Sequence, residues 1–279
     1  MEHRNIENNN PKNILIILGM HRSGTSLVAS WINELGINLG DHLLQGDYSN
    51  KKGHFEDLDF LNFHKEILEF QGYDNKGLHP DIEIRSFNDY QQQKIKHLIE
   101  LKNSLRDQWG WKEPRTCLFL DTYKLLLPDA SYLILFRRKD DVVNSLLKRD
   151  LKKLDSAFNN LTNWQKLRLK SNFSQKRTAL ESNRSVYEKV WYNYNNRLKK
   201  FIETAKIKNL LVLDTHTIQE SDIKINAALN KWGFETEFTP FSSVFEQDLI
   251  SNSVNSNEMS ELELYFKTQI DKCRKQLLS

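Results

Sequence analysis

Apolar residues in this chain gather in short unbroken runs, separated by longer stretches in which they recur every three or four positions. The runs Ile14-Leu15-Ile16-Ile17-Leu18, Tyr132-Leu133-Ile134-Leu135-Phe136 and Leu210-Leu211-Val212-Leu213 carry no polar residue. That pattern predicts strands covered on both faces. Gln108 to Arg115 reads as a fourth, short aromatic strand, broken by Pro114. Helical spacing is expected over Leu27–Leu35, over Leu58–Phe70 with Asp57 near its start, over Phe87–Leu105, over Thr116–Leu127 and over Val142–Arg149. From Tyr187 onward, Val190, Trp191, Tyr194, Leu198 and Phe201 form an aromatic stripe of the core-packing kind. Ile223 to Trp232 ends at Gly233, and Ser260 to Leu278 carries a narrow seam of Leu262, Phe266, Ile270, Cys273 and Leu277. Leu151 to Ser185 shows no clean period and is expected as helix with loops.

Strands alternating with helices predict an α/β fold: one three-layer domain with a central, mostly parallel sheet, helices on both faces, and ligands at the carboxyl ends of the strands. The strand–loop–helix unit occurs twice, after Leu18 and after Phe136. Residues 1–12 are polar and Asn-rich and are expected as a disordered tail, 13–250 as the domain, and 251–279 as a Ser/Asn-rich link with a last amphipathic helix. That helix either packs back on the domain or forms a homodimer.

Composition narrows the field only slightly. A chain of 279 residues with 39% hydrophobic content can bury one large core or two small ones, and 40 basic against 37 acidic side chains leave a net charge of +3 that calls for no nucleic acid. Lys148 to Arg184 is locally basic, which suits a solvated helix face or an anionic substrate. Two distant cysteines, Cys117 and Cys273, suggest neither a disulfide framework nor a zinc site, and fit a reducing compartment. With no apolar leader at Met1–Lys12 and no long apolar window, the expectation is a cytoplasmic protein with no membrane span.

The chemistry concentrates where the first strand ends. Gly19-Met20-His21-Arg22-Ser23-Gly24-Thr25-Ser26 leads from strand into helix, and its glycines let backbone N–H groups close on an anion at the positive helix end. The Gly19-to-Gly24 spacing resembles a Walker loop, but Thr25 stands where that motif holds lysine, and a cation appears instead at Arg22. The run Arg22-Ser23-Gly24-Thr25-Ser26 resembles the 5′-phosphosulfate loop of the sulfotransferases that use 3′-phosphoadenosine 5′-phosphosulfate (PAPS). In that family a strand-ending arginine and a serine eight positions later hold the 3′-phosphate, and here Arg137 and Ser145 have that spacing. Trp111-Lys112-Glu113-Pro114-Arg115 is similar to the Lys-Asp/Glu-Pro motif of the tyrosylprotein and bacterial branches.

The resemblance implies a P-loop-like fold, PAPS as sulfuryl donor without a metal, and Arg22, Ser23, Gly24, Thr25, Ser26, Arg137 and Ser145 as its binding residues. It makes Arg22 and Lys112 the cations of the reaction, Glu56 its base with His54 the alternate, and Arg115 a contact to the acceptor or a structural cap. The acceptor is a small molecule, a glycan or another hydroxyl or amine compound, for which Tyr48, Tyr73, Trp109 and Trp111 are either stacking surfaces or packing. The family's C-terminal Arg-Lys-Gly segment is not visible in the chain. A P-loop kinase and a nonenzymatic nucleotide-binding module stand as alternatives. For the kinase, Asp214 after the third apolar run is the candidate magnesium ligand.

Overall fold

The uninterrupted apolar runs become the centre of the molecule. In a computed structural model that describes residues 12–46, 53–214, 218–244 and 259–278, β1 (Asn13–Leu18), β2 (Gln108–Lys112), β3 (Ser131–Phe136) and β4 (Leu210–Asp214) form one sheet in the order β2-β1-β3-β4. All three pairings are parallel. Every residue of β3, and all of β1 after Asn13, is buried, so helices cover both faces of the sheet. Gly110 lets β2 close on β1: a Cβ there would lie 2.1 Å from the Leu15 carbonyl oxygen. The chain runs from β1 outward to β2 and then crosses to β3 on the other side. Connections therefore diverge between β1 and β3, and a crevice opens at their carboxyl ends.

Helices α1 (Thr25–Glu34), α2 (Leu58–Phe70) and α3 (Asp89–Leu105) fall where the periodicity predicts. Asp57 caps α2 by accepting from the Asp59 N–H at 2.8 Å, and Asn88 with Gln91 closes a capping box on α3. Their inward faces mix apolar and polar side chains. In α2, Phe60, Phe63 and His64 are buried while Phe70 is exposed, and in α3 the buried position is Lys102, not Leu101. Lys102 goes inward because its ammonium reaches Asp57 at 2.8 Å, Asp59 at 2.9 Å and Asp41 at 3.3 Å, tying α3 to the start of α2.

The helix expected over Thr116–Leu127 is two pieces: a 3-10 turn at Pro114–Leu118 and α4 (Leu120–Leu126). Pro114 starts the tight turn, and the Thr116 hydroxyl accepts from the Trp111 indole at 3.0 Å, holding it against β2. The helix expected to end at Arg149 continues as α5 (Lys139–Asn159), and after a short connection α6 (Asn163–Ser182) fills the stretch without a clean period. No residue of α6 is buried, which is why no period marks it; Phe173 stacks on Phe158 at 4.1 Å between ring centroids.

Helix α7 (Arg184–Thr204) carries the aromatic stripe inward, and α8 (Asp222–Lys231) follows β4. The last helix, α9 (Glu261–Leu278), lays its seam on this same chain: Leu262, Phe266, Ile270 and Cys273 are buried, and Phe266 stacks on Phe136 at 4.4 Å. The expected tail apart from Lys12, and the Ser251–Asn257 link, lie outside the described residues. No helix among the described residues is long and apolar enough to cross a membrane.

Candidate active site

At the mouth of the crevice, β1 passes through Gly19 into the N-terminus of α1. Gly19 is needed for space: a Cβ there would lie 2.7 Å from Thr25 Cγ2 and 2.8 Å from the Leu135 carbonyl oxygen. Arg22 and Gly24 take left-handed conformations, φ 70° and 84°, which turn the loop around its own backbone. Gly24 occupies the cap position of α1 without a side-chain cap, and the first turn holds no acidic residue. The positive helix end is thus left for an anion from outside the helix.

The glycine loop here meets the residue that follows β3 and helix α5. Arg22 Nε donates to Ser145 Oγ at 2.9 Å, and an Arg137 guanidinium N–H donates to the Arg22 carbonyl at 3.1 Å. Trp191 Nε1 donates to the Arg137 carbonyl at 3.1 Å, fixing the strand end from α7. Burial lowers the Arg137 pKa, against the opposing pull of Asp141 and Asp214. A phosphate beside this guanidinium would act in the same direction as the two carboxylates. Asp214, at the end of β4, acts on Arg137 and sits two strands away from the glycine loop.

On the other flank, at the end of β2, Lys112 is 1% exposed, and its ammonium donates to Glu56 Oε1 at 2.8 Å and to the His54 carbonyl at 2.8 Å. The Gly53–Asp57 segment is held by Leu44, which bonds the Glu56 carbonyl at 2.8 Å and the His54 N–H at 3.2 Å. The next residue, Glu113, turns the opposite way into the core. Its carboxylate meets His64 Nδ1 at 2.5 Å and the Arg115 guanidinium, while His64 Nε2 lies 2.7 Å from the Tyr123 hydroxyl. Burial alone would raise the Glu113 pKa, but Arg115 and His64 pull it down to about 2. An ionised Glu113 makes Nδ1 the donor of that contact, and Nε2 shares a hydrogen bond with the Tyr123 hydroxyl. Arg115 Nε also donates to the Asn75 carbonyl at 2.8 Å, and Tyr194, Asn193 and Arg197 of α7 bond the carbonyls of Gly77, Pro80 and Ile82. Four side chains thus strap the 75–82 segment beside the site.

The sheet therefore brings the expected residues together in two groups: Arg22, Arg137 and Ser145 over β1 and β3, and Glu56, His54 and Lys112 over β2. Ser23 and Thr25 are buried inside the loop, and Ser26 is half-buried on α1. Arg115 is committed to Glu113 and the Asn75 carbonyl. Trp109 and Trp111 are packing, stacked with Phe60, the Trp111 ring at 4.1 Å and 3°. Tyr48 lies outside the described residues.

His64, Tyr123 and the inward direction of Glu113 escape a reading for motifs alone, although His64 shares the helical spacing of Phe60 and Ile67. His21 also escapes it, despite lying inside the loop. An open groove of about 930 Å³ between Ile82, Trp191 and Leu262 includes none of the motif residues.

Scanned against protein-family models, the chain matches none, and no curated protein matches it. Among solved structures it is similar to sulfotransferase STF9 from Mycobacterium avium, with a TM-score of 0.51 at 13% identity over 84% of this chain and 67% of that one. The sulfotransferase domain from the curacin biosynthetic pathway aligns at 14% identity over 96% of this chain and 98% of that one, with a TM-score of 0.48. At such identity the likeness to STF9 is one of fold: a parallel α/β sheet of the P-loop-like kind, shared with a sulfotransferase.

Proposed function

We propose that the chain transfers a sulfuryl group from PAPS to a hydroxyl or amine acceptor. One observation carries this reading. Arg137 and Ser145, with the eight-residue spacing expected of a 3′-phosphate pair, stand against Arg22 of the glycine loop at the switch point of the sheet. ATP has no 3′-phosphate for such a pair to hold.

The residues fit the donor. The uncapped end of α1 and the N–H groups of Gly24, Thr25 and Ser26 suit the 5′-phosphosulfate, while the Ser23 N–H closes the loop on the Met20 carbonyl at 3.1 Å, and Arg137 with Ser145 suits the 3′-phosphate. Bound PAPS supplies an activated sulfuryl group on a phosphate leaving group. Arg22 and Lys112 are the cations that meet the negative charge building on the leaving oxygen, where fixed charges in a closed site are most effective. Glu56 and His54 hold Lys112 by carboxylate and carbonyl, so the Gly53–Asp57 junction sets where that cation stands. Arg115 takes part on the acceptor side by holding the 75–82 segment. The reading also carries a cytoplasmic, metal-independent enzyme.

Calorimetry with 3′-phosphoadenosine 5′-phosphate (PAP), and separately with ATP and magnesium, tests the reading. PAP is expected to bind at least ten times more tightly; a preference for ATP with magnesium would move the assignment to a kinase.

A further inference from the structure

His21 stands one residue before Arg22, inside the loop that receives the donor. The residue as a whole is half-buried, but its Nε2 is closed to solvent and has no hydrogen-bond partner. Its ring meets Tyr194 of α7 edge-on at 6.2 Å. The charged groups that act on it come from three sides: Lys112 at the end of β2, Glu113 and Arg115 just after it, and Arg149 on α5. Burial, then Arg115, hold the imidazole well below its usual pKa of 6.5, with Glu113 opposing and Arg149 and Lys112 adding to the shift. A buried nitrogen without a partner is costly to keep for packing alone.

We propose that His21 is the general base of the transfer, receiving at Nε2 the proton of the acceptor's hydroxyl or amine, while Glu56 positions Lys112. This rests on the sulfuryl-transfer reading and goes beyond it. In the step, the acceptor O–H bond breaks and its proton goes to Nε2. The acceptor oxygen forms the new bond to sulfur, and the bond from sulfur to the 5′-phosphate oxygen breaks with its electron pair leaving on PAP. The imidazolium gives the proton up again once the sulfated product and PAP have left. A neutral imidazole accepts the proton with no prior deprotonation. Glu56 is less suited to the same proton, since it must share its carboxylate with Lys112 at 2.8 Å.

The test measures PAP release from PAPS, to water and to phenol as a hydroxyl probe, for wild type, His21→Gln and His21→Ala, with PAP affinity measured in parallel. Expected are PAP affinities within about twofold of wild type, turnover about 100-fold lower in both variants, and recovery of His21→Ala, but not His21→Gln, on adding imidazole. Wild type should lose rate only at a pH well below 6.5, a limb missing from both variants. Unchanged turnover with intact PAP binding would overturn the role of His21 alone. Failure of wild type to bind PAP, or to release PAP from PAPS, would overturn the sulfuryl-transfer reading and this role together. A second measurement needs no variant to fold: ¹⁵N spectra of wild type should show His21 neutral at pH 7, and a protonated His21 there would overturn the proposal.

Discussion

Arg22 Nε donates to Ser145 Oγ across 2.9 Å, joining the glycine loop to helix α5, 123 residues on in the chain. The contact ties the glycine loop to α5 beside the β1–β3 switch point, so under the proposed reading loss of the hydroxyl should loosen the nucleotide's seat without disturbing the sheet. Ser145→Ala is expected to weaken PAP binding by about 0.5 to 1.5 kcal/mol, the usual net worth of one hydrogen bond. Calorimetry at constant salt would check it, and unchanged melting would show that the effect is local.

Glu56→Gln keeps the shape of the junction and removes the charge that fixes Lys112. Turnover should fall on the order of 10²-fold through misplacement of the cation, with PAP affinity nearly unchanged. The pH profile separates this role from that of a base. A limb that persists in the variant fits positioning, whereas its disappearance would return the base to Glu56, or to His54 if His54→Asn abolishes it instead.

Fixed cations, Arg22 and Lys112, are assigned the work that a metal ion does in phosphoryl transfer. Turnover of PAPS is therefore expected to survive excess EDTA. Complete loss restored by magnesium would favour the kinase alternative.

Glu113 makes a stability prediction with a definite sign. Its pKa is held at about 2, against an ordinary 4.5, by Arg115 and His64 in spite of burial. The unfolded chain thus takes up the proton first as pH falls. The stabilisation is complete above about pH 4.5 and is lost on descent towards pH 2. Glu113→Gln leaves Arg115 without its buried counter-ion and should lower stability at neutral pH by about 3 to 5 kcal/mol. The variant should also flatten the acid dependence in that window, as followed by urea unfolding.

The sheet was legible because its strands are buried on both faces, which leaves the apolar runs at Ile14, Tyr132 and Leu210 unbroken. The loop residues and the Arg137–Ser145 pair were legible because they lie close in sequence, within one strand–loop–helix unit. Long-range partners were not. Lys102 reads as an exposed helix residue until Asp57, 45 positions away, draws it inward. His64 reads as one polar residue on an apolar face until Glu113 and Tyr123 fold onto it. His21 sits in full view within the loop, yet its importance depends on Arg115, Arg149 and Tyr194, which only the tertiary fold assembles around it.

Whether Arg137 reads a 3′-phosphate is measured by comparing PAP with adenosine 5′-phosphosulfate, which lacks that group, on wild type and Arg137→Ala. The account predicts that the substitution weakens PAP by about 1.5 to 3 kcal/mol, the range for a lost charged hydrogen bond, and leaves adenosine 5′-phosphosulfate nearly unchanged. Equal loss for both ligands would contradict it.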